Sequence, residues 1–72
     1  MLMPRAGALS VSIVDVSGRR VRTLFRGEAA AGRFDLAWDR RDDRGARVAT
    51  GVYIVLAIDA RGESRSKLVL WD

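Results

Sequence analysis

The chain has 72 residues, a formal net charge of +4, and neither cysteine nor histidine. That length holds one small domain at most, and the missing residue types exclude disulfides, zinc centres, and catalysis by thiolate or imidazole. A domain this small buries only about 60% of its unfolded surface, so a stability near the low end of ~5–15 kcal/mol must come from apolar packing; the chain is 49% hydrophobic.

Apolar residues recur with a period near two, the mark of strands. Leu9, Val11 and Ile13 alternate with Ser10, Ser12 and Val14 and commit one face to a core. Ser17-Gly18 follows, a hairpin signal because glycine accepts the positive φ of tight turns. Asp15 stands ready to accept hydrogen bonds from backbone N–H groups there. Val21 and Leu24 anchor a second strand less regularly, and Gly27 to Gly32 reads as a connecting loop. Phe34, Leu36 and Trp38 then alternate strictly with Asp35 and Ala37, which predicts a third strand.

The segment from Asp39 to Gly51 is the most polar in the chain. Asp42-Asp43-Arg44-Gly45 has turn composition, with Gly45 free to adopt the left-handed conformation. Val48 is the one large apolar residue in it, placed to tack the loop to the core. Val52 to Ile58 is apolar at every position and predicts a central strand covered on both faces. Of its two faces, Val52, Ile54 and Leu56 are expected in the core, together with Ile13, Phe34, Leu36 and Trp38. Asp59 to Glu63, with Gly62, reads as a hairpin loop, and Ser64 to Trp71 as the last strand. Leu68 and Leu70 share one face of that strand; Trp71 is the aromatic expected to stay partly exposed. Regularly spaced strands without an amphipathic helix predict an all-β fold, a sandwich or barrel of about five to seven strands.

Of the 13 basic residues, 12 are Arg, scattered through every segment and mixed with Asp. They form neither a stripe nor a basic tail, so nucleic acid is not the expected partner. The rival reading is a basic module for nucleic acid or another polyanion, whose binding would weaken steeply with salt. No stretch approaches the ~20 apolar residues of a membrane span, so no membrane crossing is expected. Pro4 and Arg5 end the apolar run of Met1 to Met3, and no signal peptide is evident.

The run from Val11 to Leu24, with Asp15, Gly18, Arg19 and Val21, resembles the opening hairpin of FlgD-type immunoglobulin-like domains. Ala31-Gly32-Arg33, Trp38-Asp39, Asp42, Gly45, Val48 and Gly51-Val52-Tyr53 continue the similarity in order, and Lys67 to Leu70 is similar to the closing strand. Asp15, Gly18, Trp38, Asp39, Gly45, Gly51 and Tyr53 are the structural motif the resemblance carries. It implies a small immunoglobulin-like antiparallel β-sandwich spanning residues 8–72, with residues 1–7 as the stub of a preceding strand. The family is named for the flagellar hook-capping protein and includes C-terminal domains of many secreted and surface bacterial proteins, which resemble sorting modules. Arg40 departs from it, standing where the family usually has glycine after Trp-Asp.

The resemblance therefore implies a non-catalytic structural or attachment module, extracellular or at the cell surface within a larger protein. Its expected partners are proteins: neighbouring domains of a parent chain, sorting or anchoring machinery, or itself. A flagellar-cap-like assembly subunit is the alternative. A shortened first strand would leave a sheet edge open and uncover part of the apolar face of Leu9, Val11 and Ile13. The chain would then pair edge to edge with another copy or accept a partner's strand.

Asp39, Asp42 and Asp43 are the one candidate metal cluster, since calcium favours loops of carboxylates and carbonyls. Arg40, Arg41, Arg44 and Arg47 crowd the same loop, and the spacing is not that of an EF-hand. The alternative is a solvated turn in which the Asp side chains cap backbone N–H groups. No nucleophile–base pair is evident, so no catalytic residue, small-molecule substrate or cofactor is expected. Phe34, Trp38 and Tyr53 are read as core residues ahead of a ligand-stacking platform.

Overall fold

The computed structural model describes residues 2–33 and 35–71. The described residues form β1 (Leu2–Met3), β2 (Gly7–Asp15), β3 (Arg20–Ala29), β4 (Gly32–Arg33), β5 (Gly51–Asp59) and β6 (Gly62–Leu70), with no helix among them. β3, β2, β5 and β6 lie side by side in that order in one antiparallel sheet, and β1 pairs with β4 in a second, minimal one. The fold is an all-β, immunoglobulin-like antiparallel sandwich, with six strands among the described residues.

The β2–β3 hairpin is turned by Asp15. Its Oδ1 accepts hydrogen bonds from the Ser17 N–H at 2.9 Å, the Ser17 hydroxyl at 2.6 Å and the Arg19 N–H at 3.0 Å. Gly18 takes φ +90° there, a conformation that costs an L side chain about 1–2 kcal/mol. The irregular spacing of Val21 and Leu24 has a structural cause. Pairing jumps from Val11↔Phe25 to Ser12↔Thr23, and from Ile13↔Arg22 to Val14↔Arg20. Leu24 and Val21 are thus the extra residues of two β-bulges, which turn both side chains onto the core. β3 also runs further than the sequence suggests: Gly27 to Ala29 pair with β2, and Ala29 is buried, so the predicted loop shrinks to Ala30 and Ala31.

Register decides which face of β5 is inside. Ile13 pairs with Val55, Val11 with Ala57 and Asp15 with Tyr53, and cross-strand partners share a face. Val11 and Ile13 are both 1% exposed, so Tyr53, Val55 and Ala57 face the core with them. This corrects the expectation for Val52, Ile54 and Leu56. They occupy the opposite face, Val52 at 41% exposure and the other two half-buried. β5 is central, as predicted, but the second sheet and the loops cover only one of its faces. An unbroken apolar run carries no information about which face that is.

The core has two centres. Met3, Leu9, Val11 and Ala29 form one, joined by Leu36; Ile13, Tyr53 and Leu70 form the other, joined by Trp38, Val48 and Leu68. Leu24 and Val55 touch both. Met3 does more than end a stub: it is buried, and β1 pairs Leu2 with Arg33 and Met3 with Gly32. Leu9, Val11 and Ile13 are among the best covered residues, which overturns the expectation that part of their face lies open.

The predicted third strand does not form over its described residues. Residues 35–39 belong to no strand, and Phe34 lies outside the described residues. The alternation persists nonetheless: Leu36 and Trp38 are half-buried, while Asp35, Ala37 and Asp39 are exposed. Alternation reports a preferred face, whereas a strand also requires a partner, and among the described residues no strand pairs with residues 35–39.

Candidate functional site

The polar loop between β4 and β5 gathers most of the residues the sequence singles out. It is built from backbone hydrogen bonds capped by aspartates. Arg41 and Arg47 form an isolated antiparallel bridge, the Asp42 N–H donates to the Ala46 carbonyl at 2.8 Å, and the Gly45 N–H to the Asp42 carbonyl at 3.0 Å. Gly45 supplies φ +86°. Asp42 Oδ1 accepts from the Arg44 and Ala46 N–H groups at 2.9 and 3.0 Å. Asp39 Oδ1 accepts from the Arg41 N–H at 3.0 Å.

Arg40 answers the departure noted in the sequence. It sits at φ +62°, the one described non-glycine residue with positive φ. The turn after Trp38-Asp39 therefore keeps the left-handed geometry that glycine would supply without strain. The Arg40 carbonyl, so placed, accepts from the Val48 N–H at 2.9 Å.

Asp43 ties this loop to the large sheet. Its N–H donates to the Val21 carbonyl at 3.0 Å, its Oδ1 accepts from the Thr23 N–H at 3.0 Å, and its Oδ2 lies 3.4 Å from Arg20 Nε. Two β3 backbone groups thereby acquire partners beyond β2. Arg22 adds a hydrogen bond to the Asp42 carbonyl at 3.0 Å and lies 3.7 Å from Asp39.

Trp38 and Tyr53 fasten the loop from below. Their rings meet edge to face, with centroids 5.4 Å apart and planes at 72°. The Trp38 indole N–H donates to the Arg41 carbonyl at 2.8 Å, and the Tyr53 hydroxyl to the Ala49 carbonyl at 2.6 Å. Tyr53 is buried and Trp38 half-buried, so each ring packs on the core while its polar end holds loop backbone. Trp71, by contrast, is exposed. Gly51 opens β5 opposite Leu70.

The three aspartates considered for calcium are thus each directed at backbone N–H groups or arginines. Among the described residues no three acidic side chains converge on a point where an ion could sit. The groove between this loop and the Asp15 turn mixes Asp15, Asp42 and Asp43 with Arg19, Arg20, Arg44 and Arg47. Asp15 is held below the ordinary aspartate pKa, chiefly by the Ser17 hydroxyl and then by the Arg19 N–H. The Asp43 anchor on β3 escapes sequence reasoning because it leaves no spacing signal, whereas the Arg40 turn is marked in the sequence by its departure from the family's glycine.

What the fold and loop define is a small immunoglobulin-like module whose polar residues are spent on building turns. The chain belongs to the FlgD Ig-like domain family, whose model matches residues 1–63. The match ends within β6, so the likeness of Lys67 to Leu70 to a closing strand rests on its pairing with Gly51 to Ile54. No curated protein and no solved structure matches the chain. The family is one of non-catalytic structural domains.

Proposed function

We propose that the chain is a structural and attachment module, working as the C-terminal immunoglobulin-like domain of an exported or cell-surface bacterial protein. The observation that carries this reading is the outer face of the large sheet. There Val52, Ile58 and Val69 are 41%, 43% and 42% exposed, with half-buried Ile54 and Leu56 between them. Val52 and Val69 are cross-strand partners, so the apolar surface is continuous across β5 and β6. Arg65 and Lys67 pair with Leu56 and Ile54 and bring charge to its β6 side. An apolar surface bordered by charge suits packing against a neighbouring protein domain. The mechanism is passive: shape and surface provide the contacts, and no bond is made or broken.

The test is a fusion of the chain to the C-terminus of a reporter, expressed in the source organism. The reading expects the reporter outside the cell or on its surface, and a loss of that localisation in a folded Ile58→Arg/Val69→Arg variant. A reporter that stays in the cytoplasm whether or not it carries the module would contradict it. The family's name supports a second reading of the same class, a subunit of a hook-cap-like assembly. Ring or filament formation by the purified chain would favour that reading.

A further inference from the structure

The sequence scatters its arginines, and the fold gathers them. Asp43 holds the polar loop against the Val21 carbonyl and the Thr23 N–H, which sets residues 39–47 beside the β2–β3 turn and the start of β3. Between Asp15 and Arg22, and between Asp39 and Arg47, stand seven arginines and four aspartates. This corner therefore carries three of the chain's four net positive charges. A groove of about 750 Å³ lies between the two segments, with Arg19, Arg20, Arg44 and Arg47 on its walls. Arg20 is engaged by Asp43. Arg19, Arg44 and Arg47 are exposed, and among the described residues their side chains make no hydrogen bond and no ion pair. Each presents a planar fork of N–H donors that fits the paired oxygens of an anion.

The aspartates narrow the kind of anion. Asp15 and Asp42 commit Oδ1 to the N–H and O–H groups of their turns, while Oδ2 of each accepts no hydrogen bond among the described residues. An anion without donors meets only repulsion from these oxygens, whereas a hydroxyl group donates to them. Val21, Val48 and Ala49 add apolar surface to the same groove. Its one aromatic residue, Tyr53, is buried and donates its hydroxyl to the Ala49 carbonyl, so no ring is open for a nucleic-acid base to stack on. Carboxylates for the arginines, hydroxyls for the aspartates and C–H faces for the apolar wall occur together in an acidic sugar.

We propose that this groove binds an acidic polysaccharide, a polymer whose sugars carry both carboxylate and hydroxyl groups. Arg19, Arg44 and Arg47 receive the carboxylates, and Asp15 and Asp42 accept from the hydroxyls. The proposal goes beyond the attachment reading, whose apolar surface on β5 and β6 shares no residue with the groove.

The probe is oligogalacturonate, titrated into the isotope-labelled 72-residue chain and followed by amide and arginine Nε chemical shifts. Salt is held at about 0.02 M, where exposed charges are little screened. Three further probes separate the parts of the ligand. Methyl-esterified oligogalacturonate keeps the hydroxyls and loses the charge, polyphosphate keeps the charge and lacks the hydroxyls, and short single-stranded DNA adds bases. The expected result is saturable shifts concentrated at residues 15–21 and 42–49, with each of the other probes at least about tenfold weaker. Arg44→Gln/Arg47→Gln should weaken oligogalacturonate by about tenfold, and Arg61→Gln/Arg65→Gln, which removes the same charge elsewhere, by less than about threefold. Unchanged shifts in β2 and β5 show that a variant is folded, and the esterified probe tests the same contact in the unaltered chain. Equal binding of the esterified probe would overturn the proposal, as would equal weakening by the two double variants or no shifts at millimolar oligogalacturonate. Equal or tighter binding of polyphosphate or DNA would also overturn it, by assigning the groove to a phosphate polymer. None of these outcomes depends on where a reporter fusion is delivered, so attachment stays separately testable.

Discussion

Arg40 is a side chain holding a conformation made for glycine. Its φ of +62° costs an L residue about 1–2 kcal/mol, partly offset because glycine loses more chain entropy on folding. Arg40→Gly should therefore stabilise the domain by about 0.5–1 kcal/mol, read as a raised denaturation midpoint with unchanged cooperativity. A destabilised variant would show that the arginine side chain makes a contact outweighing its backbone strain. Asp15 makes a second prediction at this scale. Its folded-state pKa is depressed, so its contribution is present above the unfolded value and fades as pH falls through the folded one. Asp15→Asn should lower stability at neutral pH, and the gap to the parent chain should close below about pH 4, near the ordinary aspartate pKa. A gap independent of pH would mean that the turn depends on side-chain shape and not on carboxylate charge.

At the scale of elements, the polar loop is held by side chains reaching down to the core. Tyr53→Phe keeps the buried ring but leaves the Ala49 carbonyl without its hydroxyl partner. The expected cost is about 0.5–1.5 kcal/mol in chemical denaturation, with faster amide exchange across the loop before β5. No change in either would show that water replaces the hydroxyl without loss. These elements were unevenly legible in the sequence. The first hairpin, the β5–β6 hairpin and the positive φ of Gly18 and Gly45 follow from turn chemistry and alternation. Three features do not. The bulges place Val21 and Leu24 on one side although they stand three apart, which no period of two anticipates. The inward face of β5 is set by its register with β2, and a run of apolar residues does not encode that register. The composition around Asp39, Asp42 and Asp43 names a polar turn but not the backbone N–H groups each carboxylate accepts from, which depend on the folded loop.

Across the whole molecule, one face of a four-stranded sheet carries the core, while its cover is assembled from short pieces: a two-residue ladder, the extended residues 35–39 and a tethered polar loop. The ion pairs Arg20–Asp43 and Arg65–Glu63 join exposed side chains, and pairs of that kind add about 0–1 kcal/mol each. Stability therefore rests on the packing of residues such as Val11, Ile13, Tyr53 and Leu70. The cover over them depends on residues 35–39 being packed through their side chains without a ladder of backbone hydrogen bonds among the described residues. Residue-resolved amide hydrogen exchange on the free monomer measures this directly. The fold predicts slow exchange at the ladder positions of β2 and β5, and exchange close to that of an open chain along residues 35–39. Protection at residues 35–39 equal to that of β2 would contradict it, because these residues would then hold a hydrogen-bonded ladder of their own.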